Sequence, residues 1–260
     1  MINNRLRFLI PFFLAIALGI GPKAYHLTSS LASTPLAAEF GNSRSVVRYL
    51  STILNIEPWR VELWEDLGYA AYQSGNGDQA LLAFQQAKLY GTLSVQSTYA
   101  LAQVYEQSGD TFSALESYRQ CILDGLESEN IYQHILFLQR QTGDLPGVED
   151  TLRSWLVYQP DNAGIYYSLG SIICLDNPSQ ARSYLEQAAA IDSSYVKNTS
   201  TIVKALYSAS FQDDLAYQKV VIGRALGSTD QWDLALIAFE EAIQLNPSYG
   251  EAWAFHSEAL

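Results

Sequence analysis

The sequence is short of the residues that most chemistry needs. Its three histidines, His26, His134 and His256, stand far apart, and its two cysteines, Cys121 and Cys174, lack metal-ligand spacing. No HExxH, CxxC, GxSxG or glycine-rich phosphate loop occurs, so no metal or nucleophile motif is in view. Asp213-Asp214 is an isolated acidic pair at a joint, a pattern common where helices begin. Asn198-Thr199-Ser200 fits a glycosylation acceptor, but so short a tripeptide carries little weight. These shortages point away from an enzyme: no catalytic residue, cofactor or metal ligand is expected. The cysteines read as small buried thiols rather than a disulfide.

Positive charge is also scarce. Fifteen basic residues face 27 acidic ones in 260. Arg5, Arg7 and Lys23 all precede the first acidic residue, Glu39; without these three, 12 basic residues face 27 acidic, a net −15. Such a surface repels phosphates, which argues against nucleic acid as a partner.

Arg5 and Arg7 precede an apolar run from Phe8 to Gly21. A charged stretch followed by an apolar one is the pattern of an export signal. Taken from Leu6 to Tyr25, the run reaches about 20 residues, enough for a helix to span a bilayer. Pro22 and Lys23 make a poor processing site, and Ser30-Leu31-Ala32 lies far from the run. The balance favours an uncleaved transmembrane anchor over residues 1–26, with a cleaved signal as the alternative. Either way the arginines stay inside and the rest lies outside the cytoplasm, membrane-anchored in the first case, secreted or periplasmic in the second. Residues 27–45, rich in Ser, Ala and Gly, read as a tether.

From there the chain repeats itself. Trp64 to Ala87, WEDLGYAAYQSGNGDQALLAFQQA, reads as two amphipathic helices around a Gly-Asn-Gly-Asp turn. Gly68, Ala80 and Ala87 are small where two helices must touch, and Trp64, Leu67 and Phe84 fill the space between them. One such pair cannot bury its apolar face alone. The pattern returns every 34 residues, in units beginning near residues 27, 61, 95 and 129. The third unit carries Leu101, Ala102, Tyr105, Ala114 and Tyr118; the fourth is worn, with Leu136, Val148 and Trp155 where small residues are usual. The fifth, from Ala163, has a turn one residue shorter. Tyr195 to Ser210 then breaks the register as an extra helix, and a unit near 216–249 recovers it. GEAWAFHSEAL, residues 250–260, opens a further, incomplete unit.

This spacing resembles the tetratricopeptide repeat (TPR) family. The resemblance implies an all-α, helix-turn-helix solenoid with a right-handed superhelical course, preceded by one hydrophobic helix. Its expected divisions are 1–26 anchor or signal, 27–45 tether, 46–194 repeat array, 195–215 inserted helix and joint, and 216–260 the last unit with the start of another.

The family's first helices usually line a concave groove. Carried over by position, the groove residues are Glu62, Glu65, Tyr69 and Tyr72 from the second unit, and Gln96, Tyr99, Gln103 and Glu106 from the third. Gln133, Phe137 and Arg140 follow from the fourth, and Tyr167 from the fifth. The resemblance therefore implies a non-enzymatic scaffold that binds protein or peptide segments in a Tyr/Gln-rich groove, with acid favouring a basic segment. A docking or sensory appendage of a membrane enzyme system, such as polysaccharide export or ligation, is the alternative.

Overall fold

The computed structural model describes residues 43–260, all of it helix and connecting loop. The segment read as anchor or signal, and nearly all of the tether, lie outside the described residues. No helix among the described residues is long and apolar enough to cross a membrane. The chain divides into two units, one ending at Leu126 and the other running from Glu127 to Leu260.

The first unit holds five helices: α1 (Ser43–Leu54), α2 (Val61–Gln73), α3 (Gly77–Tyr90), α4 (Val95–Ser108) and α5 (Thr111–Leu123). The second holds α6 (Glu129–Gln141), α7 (Leu145–Tyr158), α8 (Ala163–Ile173), α9 (Pro178–Ile191), α10 (Val196–Ala209), α11 (Leu215–Ser228), α12 (Trp232–Leu245) and α13 (Gly250–Ala259). Apart from α1, α10 and α13, they pair as hairpins: α2/α3, α4/α5, α6/α7, α8/α9 and α11/α12.

Local chemistry sets each hairpin. Gly75, Gly109 and Gly143 turn the chain at φ of +77°, +80° and +69°, a region closed to most side chains but open to glycine. The residue after each glycine caps the next helix. Asn76 accepts from the N–H of Gln79, Asp110 from Ser113 and Asp144 from Gly147, at 3.3, 3.1 and 3.0 Å. In the shortened fifth turn Asn177 caps through Gln180 at 3.2 Å. Pro146 and Pro178 sit in the first turn of α7 and α9, where a missing N–H costs nothing.

Small-against-large packing then closes the hairpins. Phe84, Tyr118, Leu185 and Phe239 are fully or almost fully buried. A Cβ on Gly68, Gly170 or Gly223 would meet Phe84, Leu185 or Phe239 at 2.6 Å. Burying such a side chain stabilises by about 1.5–3 kcal/mol. The junction before a unit is fixed as well. Trp64 donates its indole N–H to the Pro58 carbonyl at 2.7 Å, and Trp253 donates to Pro247 at 3.0 Å.

The worn fourth hairpin is packed differently. Leu136 and Trp155 occupy the small positions and are both buried. The Trp155 indole stacks on Tyr132 at 5.5 Å with the planes 2° apart. Thr151 donates to the side-chain oxygen Oε1 of the buried Gln139 at 2.9 Å. With larger side chains between them, the backbones of α6 and α7 approach less closely than those of the other hairpins.

Candidate functional site

In the first unit the first helices α2 and α4 pack side by side, so their outward faces form one surface. Tyr72 on α2 accepts a hydrogen bond from Gln107 Nε2 on α4 at 3.3 Å. Tyr99 accepts from Gln103 Nε2, one turn along α4, at 3.4 Å. Both hydroxyls act as acceptors in these bonds, so each keeps a phenolic hydrogen to donate. Glu62, Gln73, Gln96 and Gln107 are exposed, and Tyr72, Tyr99 and Gln103 are half-buried. The result is a row of rigid rings tipped with donors and flanked by side-chain amides. Such a surface suits an extended chain that offers carbonyl oxygens.

Three of the expected residues are tied down more firmly. Tyr69 turns its edge to Phe84 at 5.8 Å. Burial pushes its hydroxyl up to about 12, partly offset by a hydrogen bond with Ser97. Glu106 accepts from the buried Tyr118 hydroxyl at 2.6 Å, and burial, then this carboxylate, raise the Tyr118 hydroxyl far above its ordinary value. The Tyr99 ring lies edge-on to Tyr118 at 5.9 Å, so this anchor also supports the row of rings. Glu65 accepts from the backbone N–H of Ser94, at the start of α4. Asp66, which positional reasoning passes over, is half-buried. Its carboxyl is raised by burial first, then by Glu65 and Glu62, against a lowering from Arg60.

In the second unit the expected residues do not gather in the same way. Gln133, Phe137 and Arg140 are exposed on α6, with Gln133 Nε2 donating to Glu129 at 2.9 Å. Tyr167 is buried rather than exposed on such a surface. It is 6% exposed, its ring lies 5.1 Å from that of Tyr195, and its hydroxyl is buried without a hydrogen-bond partner. Tyr195 closes the short 3-10 turn, Ser193–Tyr195, that leads into α10. Ser171 of α8, and Cys174 and Leu175 just past its end, are buried too. Lys219 of α11 donates to the Leu175 carbonyl at 2.6 Å. The break in register at Tyr195 marked the inserted helix, but position numbering alone gave no sign that Tyr195 covers α8. Among the described residues no group of three His, Cys, Asp or Glu side chains could hold a metal ion.

Comparison with known proteins supports the architecture. The tetratricopeptide repeat family profile matches residues 95–123, the α4/α5 hairpin. A second profile, described as a bacterial transcriptional activator domain, matches residues 23–107, a third of the chain. No curated protein matches the sequence. Among solved structures, Naa15/Naa10 bound to HypK-THB is 16% identical with a TM-score of 0.51, over 89% of this chain and 38% of that one. YrrB, described as a TPR protein with an unusual peptide-binding site, is 11% identical with a TM-score of 0.44, over 81% of this chain and 98% of that one. Pseudomonas aeruginosa pilF is 12% identical with a TM-score of 0.44, over 88% and 96%. At these identities the likeness is one of fold: an all-α, TPR-like array of helical hairpins.

Proposed function

We propose that this chain is a non-enzymatic interaction scaffold that holds an extended protein segment on the α2/α4 face. A TPR-like fold is in general an interaction scaffold, which makes protein partners the natural class. The observation that carries the assignment to this face is the pairing of Tyr72 with Gln107 and of Tyr99 with Gln103. The rings are oriented by their neighbours, so little side-chain freedom is lost on binding. Exposed Glu62, with the acidic pair Glu65 and Asp66 on the same helix, favours a segment carrying lysine or arginine. A photo-cross-linking residue at Gln107 should trap a discrete protein, while one at the exposed Gln85 of α3 should not. Equal trapping at both positions contradicts the assignment.

The scaffold works outside the cytoplasm, held by the amino-terminal segment. Support for this part is the sequence alone: Arg5 and Arg7 ahead of the apolar run from Phe8 to Gly21. Fractionation with mass spectrometry of the amino terminus tests it. An intact segment in the membrane, with the array open to external protease, fits an anchor, and a form starting after residue 26 fits a cleaved signal. Intact protein in the cytosol contradicts export altogether.

A further inference from the structure

Each unit carries a second concavity, built from the far ends of its second helices. In the first unit a cleft of about 790 Å³ opens where α3 ends and α4 begins, with α5 as its other wall. Gly91–Val95 line it, and Glu116 and Gln120 of α5 with Asp124 at its carboxyl end line it together with Lys88 of α3. In the second unit a cleft of about 600 Å³ is lined by Gln159–Gly164 with Ile191, Asp192 and Tyr195. The two correspond across two repeat lengths: Thr92–Val95 stand where Pro160–Ala163 do, and Asp124 where Asp192 does.

Aliphatic side chains stand exposed at these same helix ends. Leu89, Leu123, Val157 and Ile191 recur every 34 residues, near the carboxyl ends of α3, α5, α7 and α9. They are 74%, 79%, 85% and 37% exposed. A single exposed leucine needs no explanation. Ile191 lines the second cleft, and Leu89 and Leu123 adjoin in sequence the lining residues Lys88 and Asp124 of the first; four exposed aliphatics at one register form a repeated apolar feature of the kind that marks contact. Carboxylates accompany them. Glu116 and Asp124 outnumber Lys88 in the first cleft, and Asp161 and Asp192 line the second with no Lys or Arg among its lining residues. The backbone N–H of Ser194 holds Asp192 ionised to lower pH than usual.

We propose that these clefts are docking sites, separate from the α2/α4 face, for a partner polypeptide segment that combines aliphatic side chains with lysine or arginine. The aliphatic groups would cover Leu89 and Leu123 in one unit, and Val157 and Ile191 in the other. The cations would pair with Asp124 and Asp192. Clefts of this sign repel anionic lipid, so a basic polypeptide fits where a membrane surface does not.

The test is fluorescence anisotropy with a labelled peptide of alternating leucine and lysine, titrated with the full chain. The wild type should bind it, more weakly as salt is added, and should not bind the leucine–glutamate counterpart. Leu89→Ser with Leu123→Ser should weaken binding about tenfold, and adding Val157→Ser with Ile191→Ser should weaken it further. Asp124→Asn with Asp192→Asn, which keeps the aliphatics, should weaken binding and flatten the salt dependence. Because the α2/α4 face also favours a basic segment, each titration is repeated in the Tyr72→Ala, Tyr99→Ala background, where the serine and asparagine changes should produce the same losses, so failure of these clefts is distinguishable from failure of that face. Circular dichroism checks that each variant is folded. Undiminished binding by the folded serine variant, or equal binding of the glutamate peptide, overturns the proposal.

Discussion

Gly68 lies so close under the ring of Phe84 that a Cβ would stand 2.6 Å from Cε1. Gly223 and Phe239 repeat this contact in the last complete hairpin at the same distance. Gly68→Leu should therefore force the α2/α3 hairpin apart and destabilise the protein by about 1–3 kcal/mol. Thermal melting checks this, and an unchanged midpoint would count against the packing described. The effect should be much smaller at Gly250, where an added Cβ meets nothing within 4 Å.

Asp230 takes the place in the last hairpin that Gly75, Gly109 and Gly143 hold in the others, and it has φ of +68°. Asp tolerates this left-handed region better than most residues, yet at a cost. Asp230→Gly should raise stability by about 0.5–1 kcal/mol, read from chemical denaturation. Among the described residues no other turn holds a residue besides glycine at positive φ, so no other single change at a turn there is expected to stabilise in this way.

The Asp66 carboxyl titrates above its ordinary value, through burial and the nearby Glu65 and Glu62. A carboxyl with a raised folded pKa contributes stability below its unfolded pKa and loses that contribution as pH rises through the folded one. Asp66→Asn should accordingly raise the melting temperature at pH 7, and the gain should fade below about pH 4. Melting curves at the two pH values decide it; a loss at pH 7 would contradict the assignment.

Burial pushes the Cys121 thiol up to about 11 and the Cys174 thiol up to about 12. Both are buried and free. At pH 8 the thiolate fraction is about one in a thousand or less. Neither should react with a maleimide in the folded protein, and both should react once it is unfolded. Rapid labelling of native protein would show that one of these helices opens readily.

The repeat was legible because its signals are local. A glycine that must turn the chain, an Asn or Asp that caps the next helix, and a small residue facing a large one all recur at fixed spacing. Their partners lie within one hairpin, so the sequence carries both sides of each contact. The fourth hairpin was less legible. Leu136 and Trp155 were visible as misfits, but the stacking of Trp155 on Tyr132 and the Thr151–Gln139 bond depend on how α6 and α7 meet. The face was legible only where one repeat follows another without interruption. Tyr69, Tyr72, Tyr99 and Glu106 fall on or beneath it, whereas Tyr167 is covered by Tyr195, because an inserted turn and helix follow α9 where the next first helix would stand.

A protein segment bound across Tyr72 and Tyr99 should depend on both rings. A linear peptide selected from a random library against the wild-type chain supplies the probe, and its affinity for folded Tyr72→Ala with Tyr99→Ala is the deciding measurement. Loss of both rings should lower affinity at least tenfold, about 1.4 kcal/mol, with the melting temperature of the variant reported beside it. Unchanged affinity in a folded double variant would contradict the claim.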